Sequence, residues 1–115
     1  MRGSRDGLQQ AAHALVAATN AFDVDTALSL FADDAVIDDP STGERFEGVA
    51  GVGEYIERYF VAYHTVTRIL SVEPEARAQA CVRVDFKGDF GYETGRLVIA
   101  LDAAGRIRRI DADLD

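Results

Sequence analysis

Two acidic pairs in the first third of the chain have the spacing best suited to chemistry. Asp33-Asp34 and Asp38-Asp39 flank three apolar residues, and Pro40 follows the second pair. The apolar residues favour a short strand. Because strand side chains alternate between faces, one of Asp38 and Asp39 should turn inward and the other toward water. An acid in an apolar interior is a candidate general base, since burial disfavours its charged form. The alternative is a turn residue that bonds its own backbone.

Three tyrosines at four-residue spacing, Tyr55, Tyr59 and Tyr63, predict a common face on one helix. A phenol hydroxyl on that face is a candidate donor to negative charge developing on a substrate oxygen. The simpler interpretation is a set of core aromatics with hydroxyls at the edge. Tyr92, in a later strand pattern, is a further candidate for reaching inward.

The remaining ionisable residues give weaker indications. His64 closes the same helix pattern, where a cation complements the helix dipole. Cys81 has no sequence neighbour that would activate its thiol. The acidic stretch offers oxygen ligands, but the chain has neither a calcium-loop spacing nor a histidine pair for zinc. We therefore expect no metal site.

The composition indicates a globular chain with an acidic surface. Its 115 residues are 48% hydrophobic and carry a net charge of −8, and this length predicts one domain over residues 1–115. Excess acid disfavours nucleic acid and anionic membranes, which select Lys and Arg. The single cysteine fits a reducing cytoplasm, and the longest apolar run, Leu97 to Leu101, is too short to span a bilayer. We expect a cytoplasmic protein without nucleic-acid or membrane partners.

Hydrophobic periodicity predicts three helices and then a strand-rich second half. The helices are predicted over residues 6–21, a short segment capped by Asp23 or Asp25, and 48–64. A turn at Asp33-Asp34 and a short strand around Ile37 precede the third helix. The later strands are predicted over 65–73, 76–87, 90–101 and 106–114, with turns at 41–45, 74–75, 87–89 and 102–105. This segregation is typical of an α+β fold.

A strongly twisted sheet with helices on its concave face would enclose a small apolar pocket. The side chains predicted to line it are Leu15, Val36, Tyr55, Tyr59, Val82, Val84, Ile110 and Ala112.

The element order and several motifs resemble the nuclear transport factor 2-like superfamily, and within it the ketosteroid isomerase and SnoaL-like polyketide cyclase branch. The matching motifs are residues 20–25 (NAFDVD), 30–40 (LFADDAVIDDP) and 46–52 (FEGVAGV), with Tyr55. The resemblance implies a cystatin-like cone, with three N-terminal helices packed on a curved, mainly antiparallel sheet. It also implies a homodimer packed through the outer sheet face.

The resemblance assigns roles residue by residue. In the isomerase branch the acid before the proline is the general base, which falls on Asp39. A donor tyrosine on the first helix falls on Leu15, and a second acid falls near Leu97; both are apolar here. Because oxyanion stabilisation is usually the largest catalytic term, this departure argues against steroid isomerisation of the usual family kind.

Two functions are therefore expected as alternatives. The first is a cofactor-independent isomerase, cyclase or dehydratase, in which Asp39 takes a proton next to a carbonyl of a small hydrophobic substrate and Tyr55 or Tyr59 donates to the oxygen. The second is a non-catalytic ligand-binding or dimerisation module of the same fold, favoured by the apolar residues at both donor positions.

Overall fold

The computed structural model describes the backbone of residues 3–115 and the side chains of residues 7–115. Three helices come first: α1 (Gly3–Asn20), α2 (Val24–Leu28) and α3 (Gly48–Ile56). A 3-10 turn, Pro40–Thr42, follows the first strand, and a π-helical turn, Glu57–Val61, extends α3. The strands are β1 (Phe31–Asp39), β2 (Glu44–Glu47), β3 (Val66–Ala76), β4 (Gln79–Gly88), β5 (Gly91–Leu101) and β6 (Ile107–Leu114).

The six strands form one sheet in the order β2-β1-β6-β5-β4-β3. All neighbours are antiparallel except β1 and β6, which run parallel. Strand β1 lies between β2 and the last strand, β6, so residues from the first third and the end of the sequence meet inside the sheet. The α+β architecture, with helices on a curved and mainly antiparallel sheet, confirms the predicted cystatin-like cone.

The helices cover one face of the sheet because their apolar residues recur at helical spacing. In α1, Leu8, Ala12 and Leu15 are all buried. They pack into one core with the inward-facing residues of the sheet, among them Val82 and Ile110. Among the described residues, no helix combines the length and the apolar character that crossing a membrane requires.

The predicted turn at Asp33-Asp34 is wrong, because both residues lie within β1. The parallel pairing with β6 shifts its register between Phe31 and Val36, and β2 pairs only with the end of β1, from Val36 to Asp39. The two acids therefore occupy an irregular part of the strand and stay exposed. Acidic side chains that favour turns are tolerated in a strand where its pairing is irregular.

The predicted turn at Pro74-Glu75 is also wrong, because β3 continues to Ala76 and the chain turns at Arg77 and Ala78. Proline is acceptable there because β3 is an edge strand of the sheet. Strand β2 was not predicted, since residues 41–45 were assigned to a turn. Its four residues pair with the end of β1 and bring Glu44 opposite Asp39.

The third helix does not continue as a regular α-helix to His64, as the periodicity predicts. It changes at Glu57 into the π-helical turn, in which the amide of Ala62 donates to the carbonyl of Glu57 at 2.9 Å. His64 then takes a positive φ of 55° and ends the segment. Tyr59 and Phe60 within this turn, and Tyr63 just after it, all line the same cavity.

Candidate functional site

Asp39 is the last residue of β1 and immediately precedes the 3-10 turn. Its side chain caps this turn, with Oδ1 accepting from the amide of Ser41 at 3.1 Å and from the Ser41 hydroxyl at 2.7 Å. Pro40 supplies the first residue of the turn without needing a backbone donor. Asp39 is only 7% exposed. Asp39 thus both caps the turn and is sheltered from solvent, so the two interpretations are compatible.

The other oxygen of Asp39 is bonded by Tyr55. The phenol hydroxyl donates to Oδ2 at 2.7 Å, and Tyr55 is itself buried. Burial raises the pKa of Tyr55 well above its ordinary value, and the charge and hydrogen bond of Asp39 raise it further, with a smaller contribution from Tyr59. Tyr55 therefore stays protonated near neutral pH, and its single proton is directed at Asp39.

Aromatic rings hold Tyr55 in this position. Its ring centroid lies 5.1 Å from Phe46, 5.3 Å from Tyr59 and 6.0 Å from Phe60. The guanidinium of Arg58 lies over the ring of Tyr59, 5.3 Å from its centroid. Such edge and cation contacts fix ring orientation in addition to burying area.

Asp39 and Tyr55 open onto a cavity of about 350 Å³, here called the outer cavity. Its aromatic lining residues are Tyr55, Tyr59, Phe60, Tyr63, Phe86 and Phe90. Its polar side chains include Ser41, Thr42 and Thr65, with Glu93 on β5. The volume is at the lower end of the range typical of small-molecule sites, and a mostly apolar wall with a few polar groups is their usual character.

A smaller cavity of about 30 Å³, here called the inner cavity, lies beside the outer one. Four residues line both cavities: Tyr55, Phe60, Phe86 and Leu97. The remaining lining residues of the inner cavity are Leu15, Val16, Thr19, Phe31, Ile37, Ile56, Thr67 and Ile110. The two spaces are therefore neighbours with shared walls.

The structure places the predicted site residues in three groups. Asp39, Tyr55, Tyr59 and Ala112 line the outer cavity, and Tyr55 lines the inner one too. Leu15 and Ile110 line the inner cavity. The others, Val36, Val82 and Val84, line neither cavity.

Burial depth explains the two valines of this third group, and strand alternation explains Val36. Val82, Val84 and Phe86 occupy alternate positions of β4, but the two valines are almost fully buried while Phe86 reaches both cavities. Val36 is half-buried and lies between the inward-facing Ala35 and Ile37. Tyr92, predicted as a candidate for reaching inward, is 59% exposed and donates instead to Asp85. The prediction that Tyr92 reaches inward is wrong.

Several lining residues were not predicted as site residues. Ser41 follows Asp39-Pro40, and a serine in the turn after an acid is the signal that could have identified its bond to Asp39. Phe86 shares the predicted face of β4. Phe90 and Thr67 carried no sequence signal, because their roles depend on how β3 and the hairpin meet the end of α3. Among the described residues, His, Cys, Asp and Glu side chains nowhere form a group of three able to hold a metal ion.

The neighbouring acid, Asp38, has a different environment. It is half-buried, and Arg109 donates to its Oδ2 at 3.4 Å while binding Asp111 at 2.8 Å. Asp38 thus belongs to a charged cluster on the opposite side of β1. Because side chains alternate along the strand, Asp39 is held by neutral donors while Asp38 lies beside a cation.

Solved structures of similar fold share this arrangement of helices and sheet. A proposed polyketide cyclase from Sinorhizobium meliloti is 26% identical, with a TM-score of 0.83 and coverage of 96% of this chain and 98% of that one. RV0760c from Mycobacterium tuberculosis, in complex with estradiol-17beta-hemisuccinate, is 19% identical, with a TM-score of 0.82 and coverage of 95% and 94%. A proposed ketosteroid isomerase from Kribbella flavida is 16% identical, with a TM-score of 0.82 and coverage of 96% and 78%.

No curated protein matches the sequence. The model of the SnoaL-like domain family matches residues 12–112, which is nearly the whole chain. With the cone-shaped fold and neighbours of the ketosteroid isomerase and polyketide cyclase kinds, this match confirms the resemblance. The chain belongs to the SnoaL-like domain family, within the nuclear transport factor 2-like superfamily.

Proposed function

We propose that the chain is a cofactor-independent enzyme of the isomerase, cyclase or dehydratase kind, with Asp39 as general base toward a small hydrophobic carbonyl compound. One observation carries the proposal: a buried carboxylate stands at the wall of an apolar cavity of about 350 Å³. Within the described part of the chain, its hydrogen-bond donors are Ser41 and Tyr55, which are neutral. Among the described residues no salt bridge engages Asp39, and Arg96, which also lines the cavity, is paired with Asp113 at 3.4 Å.

The proposed step begins when an Asp39 oxygen takes a proton from the carbon next to the carbonyl. The electron pair of the broken C–H bond forms a carbon–carbon double bond, and the negative charge moves to the carbonyl oxygen. The protonated Asp39 then returns its proton to a different carbon, which isomerises the substrate, or to a departing β-hydroxyl, which releases water. These steps need neither a metal nor an organic cofactor.

The two tyrosines have different parts in this step. Tyr55 already donates to Asp39, so it holds the base in position. Tyr59 lines the same cavity, and its hydroxyl has no hydrogen-bond partner among the described residues. Of the two predicted donors, Tyr59 is therefore the one that remains available to donate to the substrate oxygen, and the aromatic walls supply binding area for the hydrophobic body.

The second candidate function is ligand binding without turnover by the same cavity. The engagement of Tyr55 with Asp39 favours it, because a carboxylate with three donors is a well-satisfied structural acceptor. A steroid derivative is bound by the similarly folded protein from Mycobacterium tuberculosis. Under this alternative Asp39 and Tyr55 shape the cavity, and a small hydrophobic ligand occupies it.

Proton exchange of 2-tetralone in D₂O tests the first proposal. This ketone is small and hydrophobic, and its α-protons exchange for deuterium only when a base removes them, which proton NMR follows directly. The wild-type protein should accelerate exchange above the buffer rate. Asp39→Asn should lower the protein-catalysed rate about 100-fold or more, the usual contribution of a general base.

The matched control is Asp38→Asn, which removes the same charge one residue away, outside the cavity. It should leave exchange close to the wild-type rate. Equal rates for wild type and Asp39→Asn would show that Asp39 is not the base. Saturable binding of 2-tetralone without any exchange would instead support the binding module.

The homodimer stays a prediction from the resemblance, and a cytoplasmic location stays a prediction from the composition. The outer face of β3 presents Val66 and Leu70, each about half exposed, with Tyr92 beside them. If this face forms the dimer, Leu70→Lys should convert the protein to monomers in sedimentation velocity, whereas Leu114→Lys, away from that face, should not.

A further inference from the structure

The hydroxyl of Thr67 is buried without a partner. Among the described side chains that are not exposed, Oγ1 of Thr67 is the single buried polar atom that has no hydrogen bond. The residue is 4% exposed. Buried polar groups are almost always satisfied, because leaving one unpaired costs free energy. An unpaired hydroxyl in this position therefore requires an explanation.

The backbone around Thr67 is held rigidly. Asn20, the last residue of α1, accepts from the amide of Thr67 at 2.7 Å and donates to its carbonyl at 2.9 Å. Both backbone groups are thus occupied by one side chain. These two bonds fix the backbone of β3 against the helix at this point, and the hydroxyl has no partner in the position that results.

Thr67 lines the inner cavity, whose volume of about 30 Å³ matches one oxygen-sized group. The rest of its lining is almost entirely apolar. Four of these residues also line the outer cavity: Tyr55, Phe60, Phe86 and Leu97. A small displacement of Phe60 or Phe86, both partly buried, would join the two spaces.

We infer that Thr67 binds a second oxygen of the ligand, a hydroxyl or carbonyl at the end remote from Asp39. The ligand is then a compact hydrophobic molecule with oxygen functions at both ends. One end lies at Asp39 and Tyr59, and the other enters the inner cavity. This inference rests on the proposed function of the outer cavity and adds to it the group that selects among substrates.

The chemistry of Thr67 suits either kind of oxygen. A threonine hydroxyl donates to a carbonyl and can accept from a hydroxyl. In apolar surroundings this hydrogen bond contributes its full value, since an unpaired ligand oxygen placed there would be penalised. Ligands that lack the second oxygen leave Thr67 unpaired and lose this contribution.

A pair of probes tests the inference: 2-tetralone and 6-hydroxy-2-tetralone, which differ by one hydroxyl at the end opposite the ketone. Dissociation constants are measured by titration calorimetry. Wild-type protein should bind the hydroxylated probe about three- to tenfold more tightly, the gain expected of one buried hydrogen bond. Thr67→Val, which preserves shape and removes the hydroxyl, should abolish this preference, and Thr67→Ser should retain it.

Thr65→Val is the matched control. Thr65 lines the outer cavity, but its hydroxyl already donates to the carbonyl of Tyr59 at 2.7 Å. This variant should therefore keep the preference for the hydroxylated probe.

Equal affinity of the wild type for the two probes, or a preference that survives in Thr67→Val, would overturn the inference while leaving the proposed function standing. The inner cavity would then hold only a water molecule. Failure of both probes to bind would overturn the proposed function and the inference together.

Discussion

Two carboxylates are buried among the described residues, and they lie on opposite faces of the sheet. Asp39 is 7% exposed and faces the outer cavity, whereas Asp85 is 5% exposed on the other face of β4. Each accepts from a tyrosine: Tyr55 at 2.7 Å and Tyr92 at 3.1 Å. The further donors differ. Asp39 has the hydroxyl and amide of Ser41, while Asp85 has the guanidinium of Arg68.

Both sites pair an aspartate with a tyrosine. The surroundings of Asp85 suit a structural role, whereas those of Asp39 are suited to chemistry. Arg68 reaches Asp85 at 2.6 Å through Nη2 and at 3.1 Å through Nε, and this bond and the charge of Asp85 raise the pKa of Arg68. Asp85 therefore already has a cation as partner, whereas Asp39 is held by neutral groups beside a cavity. Burial alone thus does not distinguish the two acids, but their partners and the space beside them do.

The largest expected effect is a difference in activity between variants of the two acids. Asp39→Asn should lower the exchange of 2-tetralone about 100-fold or more, whereas Asp85→Asn should leave it within about twofold of the wild type. The reason is that only Asp39 borders the outer cavity. Proton NMR in D₂O gives both rates, and a comparable loss in the two variants would mean that the effect comes from folding.

The second expected effect is a loss of stability when Asp85 is removed. Asp85→Ala should lower the free energy of unfolding by about 1–3 kcal/mol, because it removes hydrogen bonds from a cation and a phenol to a buried carboxylate. Urea titration followed by circular dichroism measures the change. The affinity for 2-tetralone should stay at the wild-type value, and a large loss of affinity would contradict the assignment of Asp85 to structure alone.

The third effect concerns alkaline pH and Tyr55. The pKa of Tyr55 is raised in the folded protein above its unfolded value near 10, so above pH 10 the folded state binds more protons than the unfolded state. Stability from this group is fully present below that pH and is lost as pH rises toward the folded pKa, by up to about 1.4 kcal/mol per pH unit. Urea titrations from pH 8 to 11 measure the slope.

Tyr55→Phe provides the control for that slope. Other groups that titrate in this range are unchanged in the variant, so the difference between the two proteins isolates Tyr55. The phenylalanine protein should show a shallower fall in stability above pH 10. Parallel curves for the two proteins would mean that Tyr55 ionises as readily folded as unfolded.

The fold could be predicted from the sequence because its signals are local and repeated. Helical spacing located α1, and alternation located β4 and β5 to within a few residues. The failures have physical causes. Pro74 was assigned to a turn, but an edge strand accepts proline, and edge position is a property of the whole sheet. Asp33-Asp34 favours turns locally, yet the register shift of β1 accommodates both acids in the strand.

The site was only partly predictable, because alternation gives the face of a residue but not its depth. Val82, Val84 and Phe86 share a face of β4, yet only Phe86 lines a cavity. Depth depends on where α3 changes into the π-helical turn, for which the sequence offers no clear signal. Asp39 was the exception, since the proline after it fixes both its backbone and the turn that it caps.

The smallest expected effect concerns two threonines on the inner side of the sheet. Thr65 and Thr67 are both buried, but only Thr65 has a hydrogen-bonded hydroxyl. Thr65→Val should cost about 1–3 kcal/mol, because the part-buried hydrogen bond to the carbonyl of Tyr59 is lost. Thr67→Val should change the free energy of unfolding by less than about 1 kcal/mol, and in the stabilising direction, because it replaces an unpaired polar group by an apolar one of the same shape.

Urea titration of the two valine variants at neutral pH makes that comparison. A gain in stability at position 67 would mean that the natural hydroxyl is retained at a cost to folding, and such a cost needs a functional reason. Asp85, by contrast, accepts from Arg68 and Tyr92, so it should not gain stability by losing its carboxylate. Destabilisation of Thr67→Val comparable with that of Thr65→Val would show that the hydroxyl of Thr67 is satisfied within the protein itself, and would remove the reason to assign it to a ligand.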